Sequence, residues 1–312
     1  MKITNHFRLL NSQGEFLSQE NVDFINLHID IDNPFFIDFN RIFTSNGPLA
    51  LEMKRNLKSY ISNLSKFVVT NNQGSLYNLL KGIHETNATC LGLSEGYPDG
   101  NSLGKILKNQ VQEGFNDYLE IIKNGNFNLD TIFFTFPLIG ADRISDIVTS
   151  IIIEPLALFT KEQCLLHGIP THKILLKNVY NRHSGLWENK FFDLPKFEDK
   201  PRIFIPKNII SSESNLSGTF DKFIRLGFHE FFKNSQKYCS LMKSSNYEGP
   251  MTKKDFDEYI KSNNIRLKSI SQILYKNIDS KTIANLIQDV RSSIQELTDE
   301  EIEIILNFKK AS

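Results

Sequence analysis

The sequence predicts an α/β body, a mixed sheet flanked by helices, followed by a helical carboxy-terminal subdomain. Three observations predict it. INLHIDIDNPFFIDFNRIF (residues 25–43) alternates apolar and polar residues with a period of two. TIFFTFPLI (131–139) is a continuous apolar run of strand length. Beyond the serine-rich SSESNLSG, every apolar pattern has a helical period. The implied domains are 1–215, which hold the candidate site, and 216–312.

Taken in order, Asn33-Pro34 breaks the first run into two strands, the second being FFIDF. Pro48 then opens a helix at a position where its missing N–H costs nothing. Leu49, Leu51, Leu57, Tyr60, Ile61, Leu64 and Val68 form the stripe of that helix. SLYNLLKGIHE (75–85) reads as a second helix and TCLGLSEG (89–96) as a short strand. A longer helix runs from Ser102 to a stop at Gly125. After the strand at 131–139 comes a helix from about Arg143 to His167, kinked at Pro155 and closed by Gly168. KILLKNVY (173–180) and RIFIP (202–206) are further strands, separated by a loop or hairpin. TFDKFIRLGFHEFF, TKKDFDEYIKSN, DSKTIANLIQDVRSSI and TDEEIEIILNFKK are four helices, and Thr298 with Glu301 forms a capping box.

Lys and Arg total 36, as do Asp and Glu, so no global field draws the chain to a polyanion. A local basic groove remains compatible with that balance. The three cysteines, Cys90, Cys164 and Cys239, are odd in number and lack metal-ligand spacing, which points to reduced thiols in a cytoplasmic protein. No apolar run reaches the roughly 18 residues of a membrane-spanning helix, so no membrane is expected as a partner. Neither G-x-S-x-G nor G-x-G-x-x-G follows a strand, and HExxH is absent.

The candidate chemistry centres on ADRISD. Asp142 and Asp146 are four apart, so on a helix their carboxylates share a face one turn apart. Paired carboxylates at a strand-to-helix junction suit a magnesium ion, which takes oxygen ligands and keeps several waters. Glu85 is a third candidate ligand, if its segment neighbours that junction. Arg143 can grip a phosphate with two parallel bonds, and Ser145 and Thr149 add polarity beyond what a cap needs. Asp142 as a helix cap, with Asp146 favouring the helix dipole, accounts for the same residues without chemistry.

Glycines at 96, 100 and 104 precede Lys105, in a loop that misses the P-loop spacing but offers backbone amides and a cation to an anion. Restriction-type nucleases pair an aspartate with a Glu-x-Lys on the next strand. Pro98-Asp99 supplies the first half, and Glu52-Met53-Lys54, Glu188-Asn189-Lys190 and Glu198-Asp199-Lys200 are triplets for the second. Lys173, Lys177, Lys200, Arg202 and Lys207 flank two predicted strands and would form a basic rim suited to a nucleic-acid backbone. Lys177 is the candidate for positioning water or phosphate in catalysis, and Lys105 and Lys207 for holding substrate.

LGLSEG, DRISD with the FTKEQC and GIP that follow, and LP with KPRIFIPKNII together resemble a group of uncharacterised bacterial proteins found among phage-defence and mobile-element genes. The likeness covers residues 25–215. It implies antiviral defence and nucleic-acid chemistry without naming a catalytic residue. Two functions stay open: a magnesium-dependent nuclease, and a non-catalytic sensor or adaptor that binds nucleic acid or another defence subunit. Oligomeric state is open under both.

Overall fold

The computed structural model describes residues 1–84, 86–92, 141–235, 250–263, 273–274 and 277–311. In chain order its elements are α1 (Ile3–His6), β1 (Phe36–Ile37), α2 (Phe39–Thr44), α3 (Pro48–Val69), α4 (Gln73–Lys81) and α5 (Ala141–His167). There follow β2 (His172–Asn181), β3 (Leu186–Leu194), β4 (Lys196–Phe197), β5 (Lys200–Pro201) and β6 (Ile210–Ser211). The last helices are α6 (Glu213–Phe232), α7 (Lys253–Ser262), α8 (Ser280–Ser292) and α9 (Asp299–Ala311). The fold is mixed α/β with a helical carboxy-terminal part. Among the described residues, however, each sheet has only two antiparallel strands, β1–β6, β2–β3 and β4–β5, and no wider helix-flanked sheet forms. The strand expected at 131–139 and the helix expected from Ser102 lie outside the described residues.

The chain divides into two compact units. One comprises Met1–Asn109, Ala141–Glu213 and Gln295–Ser312; the other comprises Gln110–Gly140 and Ser214–Ile294. The final helix α9 therefore groups with the amino-terminal body and not with α6 to α8. In the second unit the apolar stripe of α6 finds its burial locally. Phe223, Ile224 and Phe228 are fully buried, Phe228 stacks on Phe256 of α7 with centroids 4.9 Å apart, and Ile283, Ile287 and Val290 of α8 are buried with them.

Two helices organise the first unit. In α3, Met53, Leu57, Tyr60, Ile61, Leu64 and Val68 are buried as the period requires, whereas Leu51 is left 48% exposed. Helix α5 buries Val148, Ile151, Ile152, Leu156 and Ala157. It ends at Gly168, whose φ of 66° lets the Ile169 N–H return to the Cys164 carbonyl at 2.8 Å. Pro155 lies inside α5 and cannot donate to the Ile151 carbonyl four residues earlier. Asn56 of α3 supplies the missing donor: its Nδ2 reaches Ile151 O at 3.2 Å, and its side chain is buried. One side chain thus repairs the proline break and fastens α3 to α5 at the same point.

The β2–β3 hairpin packs on α5. Its register runs from His172↔Leu194 to Asn181↔Leu186, with a bulge at Lys177–Asn178 where Asn178 has φ 53°. Tyr180 and Trp187 face each other across the hairpin with centroids 5.3 Å apart, and Tyr60 of α3 lies 5.3 Å and 6.0 Å from them. Such aromatic pairs stabilise by about 0.5–1.5 kcal/mol each beyond area burial. The indole N–H donates to Leu79 O at 2.8 Å, and a side chain at Gly82 would overlap the indole ring, so glycine is required there for space.

Two expected strands are not strands. Residues 25–29 and 202–206 are buried without forming strands, and they meet their neighbours through single bonds such as Ile25 N to Ile205 O and Ile203 N to Ala88 O. Side chains replace the ladder. Gln19 accepts from Asn26 N at 2.8 Å and donates to Phe24 O at 2.9 Å. Asn33 accepts from His28 N at 3.0 Å and donates to His28 O and Cys90 O at 2.9 Å. Of the polar residues of the period-two pattern, Asn26 and His28 are buried, whereas Asp30 is exposed. The segment expected as a strand at 89–96 begins as a 3-10 turn, Asn87–Thr89, with only Leu91 bridging to Asn33; its remainder lies outside the described residues.

The short β1–β6 pair carries a buried charged cluster. Asp38 caps α2 through Asn40 N at 2.9 Å and accepts from Ser211 Oγ at 2.8 Å; Arg41 Nε donates to the same Oγ at 3.0 Å. A second Arg41 nitrogen bonds the Gln295 carbonyl, which ties residues preceding α9 to this cluster. Burial pushes the Asp38 carboxyl above its ordinary 3.8, against the opposing pull of Ser211, Asn40 and Arg41.

Both the helix crossing and the buried carboxyl can be probed by unfolding. Asn56→Ala orphans a buried carbonyl and should cost about 1–3 kcal/mol in urea unfolding. Pro155→Ala in the same chain should recover most of it, because alanine at this position regains an N–H that can donate to the Ile151 carbonyl. Strictly additive losses would show that Asn56 does not act through this bond. For Asp38, the folded pKa lies above the unfolded one, so its contribution is complete below about pH 3.8 and falls as pH rises through the folded value. Asp38→Asn should flatten that part of the stability profile, whatever its effect on overall stability. An unchanged slope between acid and neutral pH would assign the titration elsewhere.

Candidate functional site

The amino end of α5 carries the ADRISD cluster. The described helix already includes Ala141, so Asp142 lies within α5 and is not a cap residue ahead of it. The side chains of Asp142 and Arg143, and the whole of Glu85 and Lys105, lie outside the described residues. The next turns are held from two sides and by one bond within the helix. Ser145 is buried and its Oγ accepts from Ile37 N at 2.9 Å, which fixes α5 to β1. Thr149 Oγ1 donates back to Ser145 O at 2.7 Å. Ser150 Oγ accepts from His84 N at 3.2 Å and lies 2.6 Å from His84 O and 2.9 Å from Asp146 O. Ser145 and Thr149 therefore serve packing, and their polarity adds nothing to a metal site. Ser150 does bring the chain at His84, one residue before Glu85, to within one turn of half-buried Asp146.

The other expected site residues part company. Lys207 Nζ is bonded to both oxygens of Asp299 on α9, at 2.9 and 3.1 Å, so this cation is spent within the fold. Arg202 is buried, donates to Ile29 O at 3.2 Å and lies 5.3 Å over the Phe197 ring. The basic rim expected around Asp142 thus loses that side. Lys177 stands exposed at the hairpin bulge. Of the Glu-x-Lys triplets, Glu52 pairs with Arg182 and Arg55 while Lys54 donates to Ser45 O at 2.7 Å. Glu198 and Asp199, at φ 47° and 60°, form the two-residue turn between β4 and β5. Glu188 and Lys190 share one face of β3. No three His, Cys, Asp or Glu residues come together as a metal ligand set among the described residues.

A second feature has no counterpart in the sequence motifs. A cleft of about 390 Å³ opens between α3, α5 and the β2–β3 turn. Pro48, Leu49, Pro155, Leu158 and Phe159 give it apolar walls, and Leu158 is 48% exposed. Its charges largely cancel in pairs. Arg182 bonds Glu52 and, with Arg55, holds that carboxylate below its ordinary range; Lys190 bonds Glu154. Asn181, also lining it, donates to Glu188 Oε2 at 3.0 Å. Glu52 and Arg182 are 130 positions apart, so sequence spacing gives no hint of their meeting. The signals that existed were Pro155, which needs a repair partner, and the Glu188-x-Lys190 triplet.

Cysteine nucleophiles find no support in the described residues. Burial raises the Cys90 thiol to about 11 and the Cys164 thiol to about 12, so both stay protonated at neutral pH. Cys239 lies outside the described residues. No helix among the described residues is long and apolar enough to cross a membrane.

The chain belongs to a family: the Domain of unknown function (DUF8370) matches it over residues 16–217. That span covers both the ADRISD turn and the cleft. No curated protein and no solved structure matches the chain.

Proposed function

We propose that this protein is a magnesium-dependent nuclease that cleaves phosphodiester bonds, with Asp142, Asp146 and Glu85 holding the ion. The observation that carries this proposal is the bond of Ser150 to His84, which gathers the segment leading to Glu85 and the turn bearing Asp146 at one end of α5. Magnesium, when bound, would supply a polarised water and charge to offset that developing on phosphate oxygens. Arg143 and Lys105 would grip the phosphate, and Lys177 would orient water or phosphate. Lys207 drops out of this set because Asp299 holds it. A role in antiviral defence is part of the same proposal and rests on the family resemblance alone.

A second function, that of a non-catalytic adaptor, is favoured by one observation. The cleft at Leu158 and Phe159 is apolar-walled and two of its acids, Glu52 and Glu154, are paired with its own cations, which suits a docked partner better than a metal-bound phosphate.

Full-length protein with magnesium should cleave at least one of single- or double-stranded DNA or RNA. Asp146→Ala should lower that rate at least about 100-fold, the upper end of what losing even an outer-shell partner of a metal costs. Its thermal midpoint should stay within about 2 °C, since Asp146 is not fully buried. Wild-type protein that cleaves none of the four substrates with magnesium or manganese would leave the adaptor.

A further inference from the structure

Lys177 apart, the outer face of the β2–β3 hairpin is used by neither the ADRISD turn nor the cleft. Lys173, Leu175 and Lys177 alternate along β2 with the inward Ile174 and Leu176, and Phe191 of β3 lies directly opposite Leu175. Leu175 is 42% and Phe191 57% exposed, an apolar pair left open to solvent. The Lys173 ammonium lies 5.2 Å from the centre of the Phe191 ring. Asp193, across from Lys173, is bonded to Lys161 at 2.7 Å. With Asp193 paired to Lys161 of α5, the face is left with two lysines, Lys173 and Lys177.

We propose that this face binds single-stranded nucleic acid, with a base stacked on Phe191 and its phosphates met by Lys173 and Lys177. The assignment rests on the nucleic-acid function proposed above and adds the form of substrate. An exposed aromatic ring has one use for nucleic acid, a base face, and a duplex keeps its base faces inside the stack. The Lys173 ammonium lies over one face of the Phe191 ring, so a base would stack on the other face or displace the ammonium, which would then be free to meet its phosphate. The bulge at Lys177–Asn178 blunts the strand at this point, so the face presents side chains and not a pairing edge.

The test is fluorescence anisotropy of the full chain, without divalent metal, against a labelled oligothymidylate and a matching duplex. Wild type should bind the single strand more tightly than the duplex. Phe191→Ala should weaken single-strand binding by about 5- to 150-fold, the span for one stacked base, while Phe191→Trp should bind at least as tightly as wild type. Lys173→Gln with Lys177→Gln should lower the salt slope of log K by about 1.4, two phosphates' worth for a single strand. Unchanged binding by Phe191→Ala, or a preference for duplex, overturns the docking face; if such a protein still cleaves in an Asp146-dependent way, the nuclease survives without it. A wild type that neither binds nor cleaves any nucleic acid overturns both. Capture of an acidic peptide with no oligonucleotide binding reassigns the face to a protein partner and also overturns the proposal.

Discussion

Pro155 leaves the Ile151 carbonyl without its helical donor in the middle of α5, and Asn56 of α3 provides one. Much of the first unit is positioned by that bond. It fixes the two longest helices of the unit at the level of the cleft, where Pro155 and Asn56 both form part of the lining. From this crossing, α5 runs back to Ser150 and Ser145, which pin His84 and β1. It runs forward to Thr160, whose hydroxyl accepts from Phe204 N at 2.9 Å. A buried carbonyl left unpaired costs about 1–3 kcal/mol, enough to make the crossing point specific and not merely favourable.

The same logic recurs wherever the backbone of this body is irregular. A fold with little sheet still has to satisfy the N–H and C=O groups of its buried segments. Here Gln19, Asn26, Asn33, Ser145, Ser150 and Thr160 do so with short polar side chains. Each such bond fixes one contact between two segments, whereas a ladder would fix many at once. The charged version of this device is Asp38–Ser211–Arg41, which gathers β1, β6 and the approach to α9. A buried pair of this kind is weak as net stabilisation and strong as a constraint on which segments meet, because leaving either charge alone is costly.

This explains what the sequence made legible. Helices α3, α5, α7, α8 and α9 are readable because their determinants are local: Pro48 at a first turn, Gly168 after a last one, and Thr298 bonding Glu301 as a capping box. The hairpin at 172–194 is half readable, since the apolar pattern marks its first strand but does not tell a loop from a returning strand. Residues 25–29 and 202–206 mislead because a buried apolar run looks the same whether its neighbour is a strand or a side-chain amide. In the candidate site, the Asp142–Asp146 spacing can be read, but not that Ser145 and Thr149 are committed to packing. The cleft leaves little trace in sequence beyond Pro155 and the Glu188-x-Lys190 triplet, because Glu52, Glu154 and Arg182 come from three distant stretches.

Neutral overall composition turns out to be a poor guide to where this surface can meet a polyanion. Many cations are consumed at home: Lys2 by Glu303, Lys190 by Glu154, Arg182 by Glu52 and Lys207 by Asp299. Such pairs add about 0–1 kcal/mol each at the surface, but they remove the cation from any intermolecular use. What matters for recognition is the local excess. On the outer hairpin face Lys161 already neutralises Asp193, so Lys173 and Lys177 stand in surplus beside an exposed aromatic ring. The balance of 36 against 36 therefore hides a segregation that only the strand register reveals, since alternation along β2 decides that the two lysines share a face.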